Sequence, residues 1–83
     1  VPAMVAPRLE AVRLALGLTK TDFAAAMGLD KSSYSKVAKG AKPLSPEYAF
    51  RLFRLYGVDL NFIYLGQVGG LPNSLSARIM SHL

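Results

Sequence analysis

The side chains best suited to bind another molecule are concentrated between residues 28 and 42. Four lysines occur there with no acidic residue between them, at Lys31, Lys36, Lys39 and Lys42, and serines stand among them at Ser32, Ser33 and Ser35. Ammonium and hydroxyl groups are hydrogen-bond donors, and clustered positive charge attracts polyanions such as nucleic acid or an anionic membrane surface. A solvated lysine-rich helix face is the alternative, and the spacing of these residues must distinguish the two.

Composition limits the class of protein. The 83 residues contain ten Lys and Arg against five Asp and Glu, a formal charge of +5, and no cysteine. The longest nearly unbroken apolar run, residues 23–29, is far shorter than the roughly 20 residues that cross a bilayer. We therefore expect one soluble, cytoplasmic domain with no membrane partner.

The same composition argues against an enzyme. His82 is the only histidine, and the five acidic residues are scattered and mostly stand at the starts of predicted helices. There is no paired-carboxylate, metal-ligand or glycine-rich phosphate motif. We expect no catalytic residue, metal, cofactor or small-molecule ligand.

Helices must position the lysines, because no stretch alternates as a strand does. Helix one is expected over residues 7–16, and helix four, after Ser45, is expected to bury Ala49, Leu52, Phe53 and Tyr56. Later helices begin after a capping residue and end at a glycine; the caps are Thr19, Asp30, Ser45 and Asp59, and the glycines are Gly28, Gly40, Gly57 and Gly66. Paired glycines and a proline predict a loop or linker over residues 67–73. The expected fold class is all-α, with five helices and a short C-terminal extension.

Helices two and three are joined by about three residues, so they must cross steeply and closely. Ala24 supplies a small residue at the crossing, and Gly28 tolerates the positive φ of the turn. With 100° per residue, Tyr34 and Val37 face this crossing. The opposite, outward arc of helix three then carries Ser32, Ser35, Lys36 and Lys39.

The stretch LTKTDFAAAMGLDKSSYSKVAKG resembles the helix-turn-helix core of the Cro and phage-repressor family, also called the xenobiotic-response-element type. The resemblance covers residues 8–66, and YGVDLNFIYLG is similar to the family's junction between helices four and five. It implies a DNA-binding domain over residues 7–66 with helix three in the major groove of double-stranded DNA. Small single-domain regulators, such as restriction-modification controller proteins, are similar in plan.

The resemblance also implies residue roles. Lysine donates to guanine O6 and N7 and serine pairs with several bases, so the expected base contacts are Lys31, Ser32 and Lys36. The positive N-terminal end of helix two is expected to hold a phosphate. The expected phosphate contacts are Thr19, Lys20, Ser35, Lys39 and Lys42. Family members often pair an arginine on helix one with a glutamate where this chain has Ala38, so Arg13 must find another acceptor or reach DNA.

A single unit touches too few base pairs to be selective, so a homodimer on a pseudopalindromic operator is expected. Two seams stay open: Phe62, Tyr64 and Leu65 on helix five, or the stripe of Leu75, Ile79 and Leu83 on a sixth helix in the segment 67–83. The stripe also fits packing on its own domain. Repressor and activator are not distinguished, and an activator would add RNA polymerase as a partner.

A protein-binding module of the same fold, such as an antiactivator or an antitoxin, is the alternative function. An apolar C-terminal helix would suit it. Four lysines in twelve residues argue against it, because a module that binds only protein has no need for them.

Overall fold

Six α-helices make up the secondary structure, and the computed structural model describes all residues, 1–83. They are α1 (Pro2–Leu16), α2 (Lys20–Met27), α3 (Lys31–Ala38), α4 (Pro46–Tyr56), α5 (Leu60–Leu65) and α6 (Asn73–Met80). α1 packs against α3, α5 and α6, and α4 packs against α2 and α5. The predicted all-α fold with a C-terminal extension is confirmed, and the extension contains the sixth helix.

Three helices begin where the sequence predicts a side-chain cap. Thr19, Asp30 and Asp59 each accept a hydrogen bond from the backbone N–H three residues later, at 3.1, 2.6 and 3.0 Å. Such a bond satisfies one of the free N–H groups at a helix start. Ser45 precedes α4 as expected, but its side chain makes no capping bond, and Pro46 takes the first helical position.

α1 begins at Pro2, five residues before the expected start at Pro7. A proline inside a helix normally removes one backbone hydrogen bond and crowds the preceding turn. Here the turn before it is held by packing, since Val5 and Ala6 are both buried. Packing therefore extends α1 through Pro7, where the sequence predicts that helix one begins.

The buried side of α4 is narrower than predicted. Ala49 and Leu52 are fully buried as expected, but Tyr56 is only half-buried and Phe53 is 45% exposed. The prediction that Phe53 is buried is wrong, because only α2 and α5 cover α4 and they leave this side of it open.

α6 packs against α1. Ile79 is completely buried and Leu75 half-buried, whereas α6 ends at Met80 and Leu83 beyond it is largely exposed. The guanidinium of Arg78 donates to the carbonyl of Ala15, in the last turn of α1, where carbonyls lack a partner within the helix. None of the six helices combines the length and apolar character that crossing a lipid bilayer requires.

Candidate nucleic-acid interface

The crossing of α2 and α3 forms as its sequence predicts. Gly28 has φ +84°, and the N–H of Leu29 donates to the carbonyl of Ala24 at 2.8 Å, so the turn leaves α2 tightly. Ala24 is fully buried at the crossing. The rings of Phe23 and Tyr34 meet edge to face with centroids 5.4 Å apart, an arrangement that aromatic pairs favour. These contacts fix the direction of α3 relative to α2.

The two sides of α3 differ sharply. Tyr34 and Val37 lie in the core with at most 3% of their surface exposed. The opposite side is open to solvent and carries Lys31, Ser32, Lys36 and Lys39, while Ser33 and Ser35 are half-buried. The three expected base contacts therefore share one exposed surface. We call the side chains of Lys31, Ser32, Lys36 and Lys39 the α3 outer face.

No lysine of the segment 31–42 is neutralised within the chain. The only ion pair joins Arg13 to Glu10, far from these ammonium groups along the chain, and no lysine side chain donates a hydrogen bond to protein. The one nearby acid is Asp30, whose pKa is lowered mainly by the hydrogen bond from the backbone N–H of Ser33. Its carboxylate thus caps α3, and the lysine charges stay available for an external anion.

The start of α2 has the properties of a phosphate site. The side-chain oxygen of Thr19 accepts from the N–H of Asp22, which leaves the hydroxyl proton free to donate. Lys20 is exposed as the first residue of α2, where unpaired N–H groups and the helix dipole favour an anion. Both residues are donors at an exposed helix start, and their contact with a phosphate stays a prediction.

The chain leaves α3 through a turn that keeps Lys39 and one further lysine, Lys42, at the surface. Gly40 has φ +75°, and the N–H of Ala41 donates to the carbonyl of Lys36 at 3.0 Å. Lys39 and Lys42 on either side of this turn are exposed. A β-carbon at Gly40 would lie 3.2 Å from Cα of Ala3, so the first turn of α1 supports this loop.

A polar cluster that the sequence reasoning missed joins α1 to α3. Arg13 donates to both carboxylate oxygens of Glu10, at 3.0 and 3.1 Å, and to the carbonyl of Leu18 at 3.0 Å. The hydroxyl of Tyr34 donates to the same carboxylate. Glu10 is therefore the acceptor that Arg13 lacks at Ala38, and their spacing of three residues on one helix was the available signal.

The protonation states of this cluster follow from its contacts. Burial favours a higher pKa for Glu10, but the hydrogen bonds from Arg13 and Tyr34 outweigh it and the pKa is lowered. Burial, with the bond to Glu10, raises the pKa of Tyr34 far above its usual range. The bond to Glu10 also raises the pKa of Arg13. At neutral pH Glu10 is a carboxylate, held by a guanidinium and a neutral phenol.

A second missed feature is the arginine over the turn between α2 and α3. A β-carbon at Gly28 would lie 2.6 Å from Nη1 of Arg51, so this guanidinium covers the glycine. Arg51 and Arg54 line an open depression of about 300 Å³ with Ala26 and Leu55, and neither arginine has an acidic partner. Arg51 thus adds positive charge over Gly28, which lies two residues before Asp30, the cap of α3.

The residues expected at a dimer seam fall into two groups. Phe62 is 1% exposed and Ile79 is completely buried in the core of their own chain, so neither offers a surface to a second chain. Tyr64 is half-buried, and its hydroxyl donates to the carbonyl of Leu44 at 2.6 Å. Leu75 is half-buried, and of the six residues only Leu65 and Leu83 are largely exposed.

Comparison with known proteins agrees with this geometry. A family model described as helix-turn-helix matches residues 9–63, which span α1 to α5 except for the first turns of α1 and the last two residues of α5. No curated protein and no solved structure is significantly similar to the chain. The match covers well over half of the chain and contains the whole crossing of α2 and α3. The chain therefore belongs to the helix-turn-helix proteins of the Cro and phage-repressor type, a family of DNA-binding regulators.

Proposed function

We propose that this protein is a sequence-specific regulator of transcription that binds a pseudopalindromic DNA operator as a homodimer, with α3 in the major groove. The observation that carries the proposal is the asymmetry of α3. Its inner side is fixed in the core by Tyr34 and Val37, and its outer face presents only ammonium and hydroxyl groups to solvent. A rigid helix with unpaired donors on one side suits the major groove, where base edges are mostly acceptors.

The proposed roles follow from position along this surface. The N-terminal residues of α3 contact base edges in this docking mode, so Lys31 and Ser32 are base contacts. Lys36 lies one turn after Ser32 on the same exposed side and is the third base contact. Phosphates on the two flanking strands are contacted by Thr19, Lys20, Ser35, Lys39 and Lys42. Ser35 is half-buried and contributes at the edge of the surface.

The protomer has suitable dimensions for a dimeric operator. Its Cα extents are 31 × 24 × 22 Å, so the centres of two protomers in contact lie about one protomer width apart. Half-sites read on one side of B-DNA lie about 34 Å apart. A repressor acts by occupying this site, and an activator in addition presents a surface to RNA polymerase.

The alternative function, a module that binds only protein, is favoured by one observation. Phe50 and Phe53 are each nearly half exposed on α4, which is unusual for large aromatic side chains. DNA titration separates the two functions, because a protein-only module has no salt-dependent affinity for duplex DNA.

The decisive experiment is selection of bound fragments from a random duplex pool, which reports the base motif and the half-site spacing together. A twofold-symmetric motif with half-sites about one helical turn apart is the expected result. With about eight phosphates neutralised by the dimer, log affinity should fall against log salt with a slope near −7. Enrichment of no motif, together with an affinity that salt does not change, would contradict the proposal.

A further inference from the structure

The outward side of α4 carries an aromatic pair with no partner in the chain. Phe50 is 48% and Phe53 45% exposed, and their rings lie 6.1 Å apart at an interplanar angle of 35°. Beside the pair runs an open groove of about 330 Å³, which is lined by Phe50, Phe53, Asp59, Leu60 and Asn61. We call the two rings and this groove the α4–α5 patch. Protruding rings and a groove that can receive a ring thus lie side by side.

One acidic and one basic side chain lie on the same side of α4 as Phe50. At 100° per residue, Phe50 points away from the side of α4 that buries Ala49 and Leu52, and Glu47 and Arg54 share its arc. Glu47 lies in the first turn and Arg54 in the last, about 10 Å apart along the helix axis. Neither side chain forms an ion pair within the chain.

We infer that the occupant of the α4–α5 patch is a second copy of this chain, related by a twofold axis that crosses α4 near Phe50 and Arg51. A twofold contact must be self-complementary, and antiparallel pairing of α4 meets this requirement. It sets Glu47 beside Arg54 of the partner subunit and Arg54 beside Glu47 of the partner subunit. The ring of Phe53 in each copy then faces the other copy's groove.

The inference rests on the proposed function for its purpose, because a dimer is what an operator with two half-sites requires. The evidence for a second copy at the α4–α5 patch is the shape and charge of the chain itself and does not depend on DNA binding. Among the residues expected at a seam on helix five or six, Phe62 and Ile79 are buried in their own chain, and only Leu65 and Leu83 are largely exposed.

The first experiment measures self-association of the full chain without DNA by sedimentation equilibrium. Phe50→Ser should raise the dimer dissociation constant by about 30-fold, as truncation of a central aromatic anchor does. Leu65→Ser is the control, because Leu65 is 63% exposed but lies outside the patch, and it should leave association unchanged. Circular dichroism checks that both variants keep the helical content of the parent chain.

The second experiment exchanges the charges. Glu47→Arg and Arg54→Glu each set like charges together across the axis and should weaken the dimer by about tenfold or more. The double variant E47R/R54E restores opposite charges and should recover association to within about threefold of the parent chain.

Three results would overturn the inference: a monomeric parent chain, loss of the dimer in Leu65→Ser but not in Phe50→Ser, or a double variant no better than its singles. Failure of the proposed function looks different. In that case the chain dimerises through the patch and binds duplex DNA with neither motif nor salt dependence.

Discussion

Removal of a single oxygen atom, by Tyr34→Phe, tests whether the cluster of Glu10, Arg13 and Tyr34 holds α3 against α1. The ring remains in the core against Phe23, so the bond to Glu10 is the interaction that is lost. A hydrogen bond to a charged group contributes about 1.5 to 3 kcal/mol. The side chain of Glu10 is 26% exposed and keeps Arg13. We therefore expect the lower value, a decrease of about 1.5 kcal/mol in the free energy of unfolding.

Urea unfolding at pH 7 measures this difference. Tyr48→Phe is the control, because Tyr48 is half-buried and its hydroxyl makes no hydrogen bond within the chain. Its free energy of unfolding should stay within about 0.5 kcal/mol of the parent value. Equal losses in the two variants would refute the role given to Glu10.

The pH dependence gives a second check of the same cluster. The pKa of Glu10 is lowered in the folded chain, so its ionised contacts stabilise the fold above the ordinary glutamate pKa. This stabilisation is lost as the pH falls through the lowered folded-state value. The cost of Tyr34→Phe should therefore be complete at pH 7 and shrink towards pH 3. A cost that is the same at both pH values would contradict the assignment.

Other substitutions test the interface and the packing separately. Lys36→Ala should cost about 1 to 3 kcal/mol of binding free energy on the preferred operator and relax its specificity, whereas Lys39→Ala should weaken binding to all sequences alike. Equal losses from the two substitutions in a DNA titration would contradict the separate roles given to these lysines. Asp30→Ala removes the cap of α3 and should lower the free energy of unfolding by about 1 kcal/mol; no change in urea unfolding would mean that the capping bond contributes nothing. Ile79→Ala should cost about 2 to 5 kcal/mol and Leu83→Ala almost nothing, because only the first is buried; similar unfolding midpoints for these two variants would contradict the packing of α6 on α1.

The features that the sequence predicts well are those set by neighbouring residues. The caps at Thr19, Asp30 and Asp59 and the turn at Gly28 depend on a few consecutive residues, and all four are confirmed. The separation of the two sides of α3 follows from helical period alone, and the exposed lysines agree with it.

The features that the sequence does not predict depend on partners distant along the chain. Tyr34 finds its acceptor 24 residues away at Glu10, and no local pattern links the two. Phe53 stays exposed because no element covers that side of α4, which periodicity cannot reveal. Ile79 is buried because α6 folds back on α1, although its stripe by itself also left a contact between chains open.

The backbone of Ala3, in the first turn of α1, lies close to Gly40, although the loop that contains Gly40 follows the end of α1 by more than twenty residues. A side chain at position 40 would meet Cα of Ala3 at 3.2 Å and would be strained at the positive φ there, so it would displace the exit from α3 together with Lys39 and Lys42. If Lys39 and Lys42 contact phosphates as proposed, the affinity for every duplex would fall together, while the base preferred at each operator position would stay the same. In the proposed mode of binding, the contact between α1 and Gly40 would therefore affect the strength of DNA binding without affecting its sequence preference.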